Sequence, residues 1–113
     1  MAVSYQSESI TRGEADSLVG ATVLQFGTNW CGYCQAGAEV IEPALAGVAD
    51  VRRVLVEDGK GRPLGRSYRV KLWPTLIFLA DGTEVARVVR PERAEDVTDA
   101  LGVLTEALDT ETD

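Results

Sequence analysis

Trp30-Cys31-Gly32-Tyr33-Cys34 carries both cysteines of this 113-residue chain. It stands between an apolar run, Val23-Leu24-Gln25-Phe26-Gly27, and a long stretch of helical pattern. A strand that feeds straight into a helix places the two thiols at the helix start, where unsatisfied backbone N–H groups and the positive end of the dipole favour negative charge. One thiol of such a pair is expected to ionise more readily than a free cysteine. The other lies one helical turn on, within reach of a mixed disulfide formed by the first. The stretch therefore points to dithiol–disulfide exchange.

Upstream of it, Thr22 to Gly27 reads as a strand buried on both faces, with Gln25 as the single polar interruption. Thr11 followed by Glu14 matches a capping box, which opens a short helix ending near Leu18 and closed by Gly20. Residues 1–10 are expected to form an N-terminal arm with a short strand, Val3 to Tyr5. Downstream, Val40, Ile41, Ala44, Leu45 and Val48 recur at helical spacing and predict a helix from Cys31 to about Ala49, bent at Pro43. Val51 to Glu57 reads as a second strand, and Pro63 to Tyr68 as a short helix opened by its proline. Thr75 to Leu79 is a third strand. Asp81-Gly82 supplies a tight hairpin, so Thr83 to Val89 returns antiparallel. Ala94, Val97, Leu101, Leu104 and Leu108 mark the buried face of a last helix, and Asp109 to Asp113 is expected to be a frayed acidic tail. The element order implies an α/β domain spanning residues 1–113, with a central mixed sheet of four to five strands flanked by helices on both faces.

Composition narrows the function. Apolar residues make up 45% of the chain, enough for a core without disulfide stapling, so the cysteines are free for chemistry. A net charge of −7 and a pI near 4.5 argue against a general affinity for nucleic acid or anionic membranes. The N-terminus lacks a basic region followed by an apolar one, which points to the cytoplasm; a periplasmic location requires a signal removed beforehand. With no histidine and no third cysteine, a closed zinc site would need a second chain, and no metal is expected. A structural Cys31–Cys34 bridge would close too small a loop to stabilise much.

The chain resembles the thioredoxin family. The residues that carry the resemblance are Trp30-Cys31-Gly32-Tyr33-Cys34 after the first core strand, Trp73-Pro74-Thr75 before a later apolar strand, Asp81-Gly82 in the hairpin, and the C-terminal helix. It implies a thioredoxin fold and a thiol–disulfide oxidoreductase in which Cys31 attacks and Cys34 resolves, using its own redox-active disulfide and no cofactor. It further implies that the Trp73–Pro74 bond is cis and faces the cysteines. Substrate contacts are expected from Trp73, Pro74, Thr75 and Arg90. The implied partners are disulfide-containing proteins and a thioredoxin reductase-like flavoprotein, with the chain itself a monomer.

Four positions depart from the family pattern. Gly32-Tyr33 replaces the usual Gly-Pro. Gln25 stands where a buried aspartate is usual, and no lysine in the Val54 to Glu57 strand matches that aspartate's partner. An amide cannot take a proton from Cys34, so resolution is expected to be slower. Trp73 and Arg90 bring bulk and charge where smaller residues are usual, suggesting a narrower range of partners. Two alternatives stand beside the reductant: an oxidase or isomerase in an oxidising compartment, and a redox-sensing binding or chaperone-like module on the same scaffold. Plainer readings of single residues are a core amide for Gln25, a solvated charge for Arg90, a solvent-facing ring for Tyr33, and ordinary half-buried aromatics for Trp30 and Trp73.

Overall fold

The computed structural model describes residues 5, 6, 10–46, 48 and 50–111. Its elements in chain order are α1 (Arg12–Asp16), β1 (Ala21–Gly27), α2 (Gly32–Leu45), β2 (Val51–Glu57), α3 (Pro63–Ser67), β3 (Thr75–Ala80), β4 (Thr83–Val89) and α4 (Ala94–Glu111). The four strands form one sheet in the order β2-β1-β3-β4. β1 runs parallel to β2 and antiparallel to β3, which pairs antiparallel with β4. Each strand residue is turned to the face opposite its neighbour, and that alternation divides the core. Leu24 and Phe26 of β1 join Ile77 and Leu79 of β3 beneath α1 and α3, where Ala15, Leu64 and Tyr68 close the layer. Val23, Leu76, Phe78 and Ala80 face the other way, against Ile41 of α2 and Val97, Ala100 and Leu104 of α4. Helices on both faces of a mixed sheet are the architecture that the sequence implies.

Local signals explain the boundaries. Thr11 Oγ1 accepts from the Glu14 N–H while Glu14 returns the bond to Thr11, so the capping box is complete. The helix it opens ends at Asp16 with Ser17 as its cap, short of the expected Leu18. At the hairpin, Asp81 and Gly82 both take positive φ, +49° and +82°, as a two-residue turn matching the strands' twist requires. Just beyond the turn Phe78 pairs with Ala86 but Leu79 with Glu84, so β4 carries an extra residue in a bulge.

Three expectations change. α2 passes through Pro43 but ends at Leu45, well short of Ala49, because Ala46, whose N–H still bonds to the Glu42 carbonyl, turns to extended backbone at ψ 134°; Val48 lies outside the helix and is exposed. The strand expected at Val3 to Tyr5 falls largely outside the described residues, and Gln6 instead makes a parallel bridge to Val56 along the free edge of β2. α4 runs on through Glu111, so residues 109–111 of the expected tail are helical, carried by the packing of Ala107 and Leu108 against the core; residues 112 and 113 lie outside the description.

Candidate active site

The two cysteines sit where β1 hands the chain to α2. Cys31 is the N-cap of α2, in extended backbone, and its sulfur accepts the Cys34 N–H at 3.2 Å, one of the donors a helix start leaves unpaired. Cys34 follows one turn inside. Both are free thiols and both are buried, Cys34 at 3% exposure and Cys31 at 7%. With Tyr5 they form a small cluster on which Leu55 and Trp73 pack.

Under Cys34 lies a chain of polar groups. Arg53 Nη2 donates to Gln25 Oε1 at 2.7 Å, and Gln25 Nε2 donates to the Tyr5 hydroxyl oxygen at 2.7 Å. With its oxygen accepting from Gln25, the Tyr5 hydroxyl has its proton to offer, and its ring packs with Cys34, whose thiol the hydroxyl pulls down. Glu42 of α2 anchors the far end, accepting from Arg53 Nη1 at 2.9 Å. Gln25 is completely buried, and both ends of its amide are satisfied. Burial pushes the Cys34 thiol up to about 12, helped by its hydrogen bond with Cys31; a backbone bond at Thr28 and the Tyr5 hydroxyl pull it part of the way back. Burial likewise holds the Tyr5 phenol above its ordinary range. Glu42 is held below the usual carboxylate range by its hydrogen bond with Arg53.

Tyr5, Arg53 and Glu42 are absent from the sequence-based set of site residues. Arg53 lies just before the Val54–Glu57 segment in which a cation is sought. It faces the site because parallel pairing sets it beside Val23 and sets Leu55 beside Gln25. A charge inside an apolar strand, two residues out of register from a buried amide, is the available signal. Tyr5 has none, since its approach depends on the bridge that its neighbour Gln6 makes to Val56 of β2.

The rim is aromatic. Trp30 is 75% exposed and Tyr33 61%. Trp73 stands edge-on to Trp30, with ring centroids 5.8 Å apart, and its indole N–H donates to Asp58 Oδ2 at 2.8 Å. The Trp73–Pro74 peptide is cis. Pro74 packs on α2 at Gly37, where any Cβ would come within 2.9 Å of the proline ring. Arg90 joins the site from the end of β4. Its Nε donates to the Trp73 carbonyl at 2.8 Å, and its guanidinium lies 3.7 Å over the Tyr33 ring. That geometry replaces the plain reading of Arg90 as a solvated charge. Thr75, expected among the substrate contacts, has its side chain buried and donating to the Leu72 carbonyl at 2.6 Å, so it fastens the turn instead. Gly32 lies open, with nothing near the place a side chain would occupy. Among the described residues no group of three or more metal-binding side chains comes together, and no helix is long and apolar enough to cross a membrane.

The thioredoxin family profile matches residues 10–102. A thioredoxin from Staphylococcus aureus is 32% identical over 97 residues, covering 81% of this chain and 91% of that protein. Among solved structures, thioredoxin 2 from Pseudomonas aeruginosa in its reduced form superposes with a TM-score of 0.82 at 47% identity, over 94% of this chain and 99% of that one. A variant thioredoxin from Halobacterium salinarum superposes with a TM-score of 0.71 at 26% identity, over 90% and 89%.

Proposed function

Since the chain belongs to the thioredoxin family and is a thiol–disulfide oxidoreductase, we propose that it works as a reductant of protein disulfides, with Cys31 as nucleophile and Cys34 as resolving thiol. The observation that carries this assignment is the asymmetry of the two sulfurs. Cys31 caps the helix and receives a backbone N–H, whereas Cys34 lies deeper, with its thiol pushed up to about 12. The first is placed to attack, and the second stays protonated until it is needed.

The Cys31 thiolate attacks one sulfur of a partner's disulfide, breaking that bond and forming a mixed disulfide while the other sulfur leaves and takes a proton. Cys34 then gives up its proton, attacks the Cys31 sulfur and closes the Cys31–Cys34 bond, releasing the second partner thiolate, which takes up the proton. Two electrons pass to the partner and two thiols become one disulfide. Tyr5 supports the second step by donating its hydroxyl proton to the Cys34 sulfur as charge develops there. Its oxygen is occupied by Gln25, and Gln25 is polarised by Arg53. A hydrogen-bond donor thus stands in for a proton acceptor below the resolving thiol. The reaction uses the dithiol alone, with no metal or organic cofactor. The proposed setting is cytoplasmic and monomeric, with a flavoprotein reductase returning the disulfide to the dithiol.

Cys34→Ser, mixed in reduced form with a disulfide-bonded protein, is expected to accumulate a mixed disulfide at Cys31, read by intact and peptide mass spectrometry. Cys31→Ser is expected to give neither adduct nor turnover. Trapping at position 34 in place of 31, or turnover without Cys31, would overturn the roles.

A further inference from the structure

Five of the chain's 11 lysines and arginines converge on one side of the active edge. Lys60, Arg62, Arg66, Arg69 and Lys71 line an open hollow of about 530 Å³, with Asp58 as the acid among them. They meet there because α3 is short and folds its flanking loops back beside each other: the Val70 N–H returns to the Gly65 carbonyl at 3.0 Å, and Arg69 takes a left-handed φ of +59°. Arg62 is paired with Glu57. Lys60, Arg66, Arg69 and Lys71 are exposed and make no side-chain hydrogen bond or ion pair with any described residue. In a chain of net charge −7, this is a concentration of unneutralised positive charge against the overall sign.

The hollow is joined to the site. Asp58 lines it and also accepts the indole N–H of Trp73, which packs on the cysteine cluster. A polypeptide whose sulfur is engaged at Cys31 can run past Trp73 into the hollow within a few residues. Exposed, hydrated cations hold a single small anion weakly, because each such contact is worth less than about 1 kcal/mol and is screened by salt. Several acting on an acidic segment already tethered nearby add together. We propose that this hollow docks an acidic segment flanking the disulfide of a protein partner, and so selects among disulfides by the charge beside them. The inference rests on the oxidoreductase reading and narrows its substrate class.

The test uses peptides that share one disulfide loop and differ in a flank of four acidic, four neutral or four basic residues. Each is mixed with the prereduced chain in single-turnover reactions, and released thiol is followed by mass spectrometry. Net charge alone would make the basic peptide fastest. Docking in the hollow predicts the reverse, with the acidic peptide about tenfold faster than the neutral one at low salt and the ratio collapsing toward one as salt is raised. The double variant Arg66→Glu, Lys71→Glu is expected to lose or invert that ratio, while Arg93→Glu keeps it. A ratio between two substrates on one protein does not depend on how much of a variant is folded. Equal rates, a faster basic peptide, or a ratio that survives the charge reversal would overturn the proposal. So would loss of the ratio in inorganic phosphate but not in chloride of matched ionic strength, which would mark a small-anion site. Failure to reduce any of the peptides would instead refute the oxidoreductase reading beneath it.

Discussion

The floor beneath Cys34 and the rim around Cys31 both use aromatic rings and an arginine, but to opposite ends. On the floor, Tyr5 and Arg53 are joined through Gln25 in a line of donors and acceptors that leads to the cluster holding Cys34. On the rim, Trp30 and Tyr33 stand largely in solvent, Trp30 edge-on to the Trp73 ring and Tyr33 under a half-buried Arg90 that also holds the Trp73 carbonyl. The end of the floor's polar line nearest the sulfur, Gln25 and Tyr5, is buried and has no water to replace a lost member, so changes there act on stability and on the chemistry of the thiol. Changes on the rim act on which partner fits.

The largest contrast is expected in stability. At Gly27 a Cβ would lie 2.6 Å from the Cys34 sulfur and 2.8 Å from the Tyr5 ring, so Gly27→Ala is expected to cost about 1–3 kcal/mol through overpacking. Trp30→Ala, at a largely exposed position, is expected to change stability by less than about 0.5 kcal/mol. Urea unfolding of the two reduced variants compares them directly, and equal losses would erase the distinction between floor and rim.

A second difference concerns the sulfur. Removing the Tyr5 hydroxyl with Tyr5→Phe is expected to lengthen the life of the mixed disulfide about tenfold, the effect of losing a charge-assisted hydrogen bond worth about 1.4 kcal/mol. The Cys34 thiol is pushed up to about 12 and therefore carries its proton at neutral pH. Raising the pH increases its thiolate fraction, so resolution should accelerate about tenfold per unit between about pH 7 and 9. Rapid-quench decay of a preformed mixed disulfide measures both, and a pH-independent rate would show that Cys34 ionisation does not limit the step.

The smallest effect belongs to Arg90. Its guanidinium occupies the Trp73 carbonyl and stacks on Tyr33, so an extended partner must displace it to pair with that backbone. Arg90→Ala is expected to raise kcat/KM for an extended peptide disulfide about two- to fivefold, matching a contact worth about 0.5–1 kcal/mol, with little change in stability. A fall in kcat/KM would assign Arg90 to substrate binding instead.

What was legible in the sequence was whatever is encoded locally. Thr11 and Glu14 cap one turn, Asp81-Gly82 supplies a hairpin, and Cys31 with Cys34 fall at a helix start because an apolar run precedes them and a helical pattern follows. The polar line was hidden because its members come from four separate segments. Gln25, Arg53, Glu42 and Tyr5 meet only when β1 and β2 pair in their particular register and Gln6 bridges to Val56. Gln25 read by itself suggested a weakened site. Beside Arg53 and Tyr5 it is a connector, a role that no residue has in isolation. The end of α2 was misjudged for a related reason: Val48 continues the helical spacing, but spacing does not register that the backbone turns extended at Ala46.

The hairpin tip lies at the other end of β3 from the cysteines, and its turn is latched to the segment entering β1. Asp81 Oδ1 accepts the Gly20 N–H at 2.7 Å, the Asp81 N–H returns to the Gly20 carbonyl at 3.0 Å, and a Cβ at Gly82 would run into the Asp16 carbonyl. For a scaffold engineer this tip is the wrong place to graft a loop: although it looks like the natural insertion point, lengthening it would unfasten α1 from the sheet. Gly61, with open space around it, offers the freer splice.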